Sequence, residues 1–233
     1  MAEFLGGGQN AIAGSMPLVC ARATATAEVL STLSDAGLPV EADLHPYRTI
    51  DEYYARLKEL AGTGWRLALQ TPLLPHEADP RWSLVDPDLV RDLNDKGRLA
   101  EYVPRAFLPA RRVVRQDGVV GAVRRLAGEG PVVLKASNHL PSGAGISVRI
   151  CRTPEEVEAA RAEMAEDPLV VVEEFLAIDR SACFHLLVRS DGTVEPLGVA
   201  EQVCDDRGRY LGNWIDAESD RLARADVVAT VRG

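Results

Sequence analysis

Lysine is nearly missing from this chain. Of its 26 basic residues only three, Lys58, Lys96 and Lys135, are lysine, and the rest are arginine. A lysine here therefore invites a specific reason, because a compact ammonium does what a planar guanidinium does poorly. Cysteine pairs are missing too. Cys20, Cys151, Cys183 and Cys204 are spread along the sequence without a C-x-x-C pair or a His at zinc-ligand spacing, which excludes a zinc ribbon and favours reduced core thiols. A basic surplus is absent: 26 Lys plus Arg stand against 35 Asp plus Glu, for a net charge of -9 and a pI near 5.0. That balance excludes a general nucleic-acid binder and leaves room for a small local anion site. No apolar run approaches the roughly eighteen residues of a membrane span. The first ten residues lack a basic stretch followed by an apolar one, so a cytoplasmic protein without a membrane partner is expected. Neither G-x-x-x-x-G-K-[ST] nor G-x-G-x-x-G occurs, which leaves the P-loop and the dinucleotide fingerprint unsupported.

What is present reads as a folded protein. Hydrophobic residues make up 46% and charged residues 26% of 233, enough to bury one large core or two small ones. Residues 1–17 hold Gly6, Gly7 and Gly8 and little periodicity, and read as a loop. Apolar spacing predicts a helix over 21–36 that stops at Gly37, a short strand over 38–44, and a helix from Thr49 to about Leu60 with Ile50, Tyr53, Tyr54, Leu57 and Leu60 on one face. Lys58 falls on its polar side. A strand over 66–74 and a helix over 88–102 follow, so the first hundred residues suggest a small α/β layer.

The second section carries a helix over 119–127, a strand over 131–137, a polar loop over 138–145 and a strand over 146–149. Thr153 and Glu156 then make a capping box for a helix to about Ala165. An apolar strand over 169–172 runs into Glu173, Glu174, Phe175 and Leu176. Strands over 181–189 and 194–203 turn at Asp191-Gly192, and a last helix starts near Ala217. Asp205 and Asp206 read as turn residues. His45, His76 and His185 are scattered and take no role.

Lys135 closes an apolar strand, and Gly143-Ala144-Gly145 follows eight residues later in the loop between two strands. Small residues let backbone N–H groups approach phosphate oxygens, and an ammonium adds a point charge. A plain hairpin with a surface lysine is the alternative. His139, in the same loop, reads equally as a phosphate donor or a solvated side chain.

Several segments in one order give a family resemblance over roughly residues 94–216. Asn94-Asp95-Lys96-Gly97-Arg98 with Pro104 and Leu108-Pro109, then Val132-Val133-Leu134-Lys135 with Ser142-Gly143-Ala144-Gly145-Ile146, then Thr153-Pro154-Glu155-Glu156, then Val170 to Leu176, resemble the ATP-grasp superfamily. The resemblance implies that Lys96 and Lys135 reach the phosphates of ATP and that Ser142, Gly143, Ala144 and Gly145 form the loop over them. It implies that Glu173, Glu174, Phe175 and Leu176 make the hinge strand that meets the adenine. Asp179 takes the place of the family's ribose-binding Glu. This is a departure, and a shorter carboxylate reaches the ribose less well. The fold implied is α/β (α+β): an N-terminal α/β domain over 1–103, a nucleotide-binding subdomain over 104–176 with antiparallel sheet and helices, and the start of a second subdomain over 177–233.

The activity implied is ATP-dependent carboxylate–amine (or carboxylate–thiol) ligation through an acylphosphate, with ATP and Mg²⁺ as cofactors. The partners implied are small-molecule carboxylate and amine substrates, and a homodimer is compatible with it. No protein nucleophile is required, so no catalytic residue is assigned. The family's metal-binding carboxylates and Asn are not found among Asn213, Asp216, Glu218, Asp220 and Asp226, so no metal ligand is assigned. The chain is expected to be truncated and inactive alone. A non-catalytic ATP-binding module, and an oxidoreductase using Gly6 to Gly8, are the competing readings.

Overall fold

In the computed structural model of the chain, the described residues are 9–10, 13–41, 43–69, 73–127, 130–138, 147–178, 180–205 and 207–215. Gly6 to Gly8, His139, Ser142 to Ile146, Asp179, Asp206 and the helix expected from Ala217 lie outside them. By contacts the chain divides into two units, Met1–Arg91 and Asp92–Gly233.

In the first unit, β1 (Pro17–Ala21) and β2 (Asp43–Tyr47) pair in parallel from Pro17↔Asp43 to Ala21↔Tyr47. Parallel neighbours need a crossover, and α1 (Ala27–Asp35) supplies it, with the Thr26 hydroxyl accepting the N–H of Val29 at 3.3 Å. The helix expected over 21–36 is thus corrected at its start. Leu18, Val19 and Cys20 belong to a strand that leaves Cys20 fully buried, and alanine's helix propensity is small beside such burial. The strand expected over 38–44 lies a few residues later for the same reason, since its register follows β1.

Next comes α2 (Ile50–Gly62). Thr49 accepts the N–H of Glu52 at 3.2 Å, and Glu52 returns its carboxylate to the N–H of Arg48 at 2.6 Å. Leu57 and Leu60 are buried against Leu67, with Tyr53, Tyr54, Leu69, Leu73 and Trp82 around them. The strand expected over 66–74 is not formed among the described residues, where one isolated bridge joins Leu67 to Ser83. Its alternating Leu67, Leu69 and Leu73 pack on α2 rather than forming a ladder. Tyr54 donates to Glu77, which also accepts the N–H of Leu74 at 2.7 Å. That bond pushes the Tyr54 hydroxyl up to about 12.

One helix was expected over 88–102, but α3 (Pro87–Asn94) and α4 (Leu99–Tyr102) are separated by a turn at Asp95 to Arg98. The second unit is built on β3 (Arg111–Val114), β4 (Val132–Ser137), β5 (Val148–Cys151) and β6 (Leu169–Glu174), in the order β3-β6-β4-β5 with all neighbours antiparallel. Side chains alternate across such a sheet. Val132, Leu134, Ala136, Val170 and Val172 occupy one face and pack with Val119 and Ala122 of α5 (Val119–Ala127) and with Val157 and Ala160 of α6 (Pro154–Glu163). Thr153 caps α6 through the N–H of Glu156 at 3.2 Å, as expected. Farther along, β7 (Ala182–Val188), β8 (Val194–Cys204) and β9 (Tyr210–Trp214) form an antiparallel sheet in that order. Gly192 sits at φ +82 in the turn expected there. β9 was not expected, because Gly212 and Asn213 interrupt its pattern.

Candidate functional site

The other face of the four-stranded sheet is where charge collects. Register puts Lys135 opposite Val171 on β6, and Glu173 two residues on shares its face. Arg111 of β3 lies directly opposite Glu173. The three side chains meet: the Lys135 ammonium pairs with one Glu173 oxygen, and Arg111 Nη1 lies 3.4 Å from the other. Glu173 and Arg111 are nearly buried, with side-chain exposures of 4% and 8%, while Lys135 keeps 29%. Lys135 is therefore the member with access to solvent. A buried carboxylate of this kind is tolerable only when cations and hydrogen bonds surround it.

Lys96 comes to the same place through the turn that breaks the expected helix. The Asp95 carboxylate accepts the Ser137 hydroxyl at 2.5 Å and the N–H of Gly97 at 2.8 Å. Arg111 Nη2 donates to the carbonyl of Lys96. Gly97 is required for this approach, since a Cβ there would stand 2.1 Å from the Ser137 hydroxyl oxygen. Ser137 is two residues beyond Lys135 on β4, so one strand positions both lysines: Lys135 directly, and Lys96 through Ser137 and Asp95.

The electrostatics reflect this closeness. Burial, and then repulsion from Lys135, hold the Lys96 ammonium below its usual range, against the attraction of Asp95 and Asp167. Asn138 donates to Asp167. Arg111 Nε and Nη1 are buried and make no hydrogen bond among the described residues. Buried donors without acceptors are rare in folded proteins and call for an explanation. Arg111 Nη1 keeps its ion pair with Glu173 at 3.4 Å, so this face carries cations that repel one another and a buried guanidinium whose hydrogen bonds are not all made, which is the chemistry that receives an anion.

Of the remaining residues singled out from the sequence, Glu174 accepts the N–H of Ala110 at 2.7 Å and gives its own N–H to the carbonyl of Ala110 at 3.0 Å. Phe175 and Leu176 follow β6 without regular secondary structure, Leu176 with 49% exposure. The Glu173 carboxylate faces Lys135 and Arg111. Ser142, Gly143, Ala144, Gly145 and Asp179 are outside the described residues. Asp95, Gly97, Arg111 and Ser137 were not assigned roles from sequence. Ser137 was legible in principle, as the i+2 neighbour of Lys135 on a strand. Arg111 carried no motif signal. Among the described residues no group of three His, Cys, Asp or Glu side chains is placed to hold a metal ion, and no helix is long and apolar enough to cross a membrane.

Known proteins resemble the chain in both halves. The family profile described as L-aspartate--L-methionine ligase, ATP grasp, matches residues 109–232, and that of the L-aspartate--L-methionine ligase N-terminal domain matches residues 1–91. Among solved structures, an ADP complex of N5-carboxyaminoimidazole ribonucleotide synthetase is 17% identical, with 81% of this chain and 52% of that chain covered at a TM-score of 0.58. The Staphylococcus aureus N5-carboxyaminoimidazole synthetase complexed with ADP is 10% identical, with 80% and 50% covered at a TM-score of 0.59. At such identities the likeness shows the fold, and the chain spans about half the length of these relatives. With an antiparallel sheet that carries Lys135 on one face, Lys96 in the turn bonded to that sheet through Asp95 and Ser137, and profiles that match 109–232 and 1–91, the chain belongs to the ATP-grasp family of L-aspartate--L-methionine ligases.

Proposed function

We propose that the charged face of the four-stranded sheet binds the phosphates of ATP, and that the protein serves an ATP-dependent carboxylate–amine ligation. The observation that carries this is the meeting of Lys135, Lys96 and Arg111 on one side of the sheet, where burial first and Lys135 second hold the Lys96 ammonium below its usual range, beside a buried Arg111 Nε that makes no hydrogen bond among the described residues. A polyphosphate relieves both at once. Lys135 and Lys96 are point charges on its oxygens, and Arg111, paired with Glu173 of β6 and donating to the carbonyl of Lys96, ties the turn that bears Lys96 to the sheet that bears Lys135.

Phe175 and Leu176, just beyond the end of β6, offer backbone groups to the adenine. Glu174 keeps β6 tied to the chain at Ala110. Ser142 to Gly145 and Asp179, outside the described residues, are assigned in the same reading to the phosphates and to the ribose. A subdomain over 104–176 and the start of a second over 177–233 belong to the same proposal. The two sheets, β3 to β6 within the first and β7 to β9 within the second, support it.

ATP supplies a phosphoryl group that turns the substrate carboxylate into an acylphosphate, from which the amine displaces phosphate. The family's name gives L-aspartate and L-methionine as the substrates joined, and we assign that pair to this protein. The residues described here position and neutralise; none attacks covalently. Mg²⁺ accompanies ATP in this reading, but the described residues do not form a carboxylate site for it, and no step is assigned through it. Titration of the chain with ATP, and with GTP as control, tests the reading: saturable ATP binding lost in Lys135→Ala and kept in Lys58→Ala is expected. No ATP binding by the natural full-length protein would end it.

A further inference from the structure

The first unit carries a second concentration of positive charge. A cleft of about 560 Å³ is lined by Arg22, Pro46, Arg48, Glu52, Ala55 and Arg56, a size within the range of small-molecule pockets. Its position follows from topology. Ala21 and Tyr47 are the last paired residues of the parallel strands β1 and β2, so Arg22 and Arg48 are the next residue on each strand. Both leave the carboxyl end of the sheet side by side. Glu52, Ala55 and Arg56 come from one side of α2, at helical spacing. The crevice outside the carboxyl ends of parallel strands is where open α/β sheets bind ligands.

The turn that bears Arg22 is braced. The fully buried Asn10 donates from Nδ2 to the carbonyl of Thr24 at 2.7 Å, and the Thr24 hydroxyl donates to the carbonyl of Ala21 at 2.8 Å. Arg48 is held at its backbone by Glu52, at 2.6 Å. Arg56 is answered by Glu59 at 2.9 Å. Three guanidiniums around one concavity, with Glu52 the one carboxylate among the described residues that line it, run against the average of a chain with net charge -9. Like charges set together in a cleft focus a field that draws an anion in, and paired guanidiniums match planar carboxylates in particular.

We infer that this cleft binds the carboxylate groups of an acidic amino acid, with Arg22 and Arg48 as its principal contacts. The inference rests on the ligase reading for the class of substrate, and on the cleft alone for the site. Two carboxylates distinguish such a ligand from its amide, and two guanidiniums on neighbouring strand ends can address both.

The test is calorimetric titration of L-aspartate, L-asparagine and inorganic phosphate into the full 233-residue chain, with and without a non-hydrolysable ATP analogue. Arg22→Gln, Arg48→Gln and, as control, Lys58→Gln are measured alongside, with circular dichroism and ATP affinity recorded on each preparation. Saturable aspartate binding is expected, at least about tenfold tighter than asparagine, and weakened about tenfold or more by Arg22→Gln or Arg48→Gln, in line with the loss of a charged hydrogen bond. ATP affinity and folding should hold in both. A preparation that binds ATP but not aspartate, aspartate no tighter than asparagine or phosphate, or affinity unchanged in both arginine variants would overturn the inference and leave the ATP site standing. Aspartate binding with the expected arginine dependence in a chain that does not bind ATP would keep the cleft and sink the ligase reading.

Discussion

The two faces of β4 make different demands on alternate residues of one six-residue strand. Val132, Leu134 and Ala136 point to the helices and are at most 2% exposed. Val133, Lys135 and Ser137 point the other way, into the company of Glu173 and Arg111 from the neighbouring strands. The first set works by removal from water, which is non-directional and insensitive to small changes of position. The second works by charges and hydrogen bonds at defined distances. The apolar face can therefore be read as the support that lets the polar face hold repelling cations in place.

If that division is right, changes on the two faces should separate cleanly, with stability responding on one and nucleotide affinity on the other. The largest effect is expected from Leu134→Ala. Its fully buried side chain leaves a cavity between sheet and helices, costing about 2–5 kcal/mol. Denaturant unfolding should show the loss, and ATP affinity of the fraction that remains folded should be close to wild type. A folded variant that had lost ATP binding would break the comparison.

Lys135→Ala tests the opposite face. Its ammonium is the exposed member of the trio, and Arg111 still pairs with Glu173 when it is gone. We expect ATP affinity to fall about a hundredfold, comparable with the loss of one strong electrostatic donor, with a smaller change in unfolding midpoint. Lys58→Ala, on the exposed side of α2, should change neither beyond about half a kcal/mol. Equal and near-wild-type ATP affinities in the two variants would remove the support for the phosphate site.

Gly97→Ala sharpens the comparison by asking how closely Lys96 must be placed. The new Cβ would meet the Ser137 hydroxyl oxygen at 2.1 Å and the Ser137 Cβ at 3.2 Å, so the turn has to move. A loss of about tenfold in ATP affinity is expected, since ångström-scale misplacement of a charged contact is costly. Adding Ser137→Ala opens the space and should restore part of that affinity, although it removes the hydroxyl that Asp95 accepts. Non-additivity in the double variant, measured by titration, is the sign that the two residues touch. Strict additivity would show that the turn is not held by this contact.

How much of this was legible depends on the range of the interaction. Thr49 with Glu52 and Thr153 with Glu156 are local signals, and both caps are found. The alternating pattern of β4 and the apolar run of β6 are local too. The rarity of lysine, together with the family resemblance of the segments around them, pointed to Lys96 and Lys135 without any structure. What could not be read is what depends on partners distant in sequence. The strand at Leu18 to Cys20 exists because β2 lies beside it, Leu67 to Leu73 pack on a helix instead of pairing, and the helix over 88–102 breaks because Asp95 bonds to Ser137, 42 residues away. Arg111 had no signal of its own, and it joins Glu173 only because β3 and β6 pair in one register.

The smallest effect concerns protons, and it follows from the same crowding of charge. Burial first, and Lys135 second, lower the pKa of Lys96 from its ordinary value of 10.5. The unfolded chain then binds the proton more tightly than the folded one. The charged Lys96 costs stability at pH values below both pKa values, and that cost is released as pH rises from the lowered value toward 10.5. A bound polyphosphate has the reverse preference, because it favours the ammonium and raises the pKa again. ATP affinity should accordingly decline as pH rises through the lowered pKa of the free protein, and binding in that window should take up protons. Calorimetry in two buffers of different ionisation enthalpy, across about pH 7 to 10, measures the uptake directly. Lys96→Met should bind ATP more weakly and take up fewer protons on binding. Equal proton uptake by wild type and Lys96→Met would show that Lys96 does not face the phosphates, while leaving Lys135 and Arg111 to be judged by their own variants.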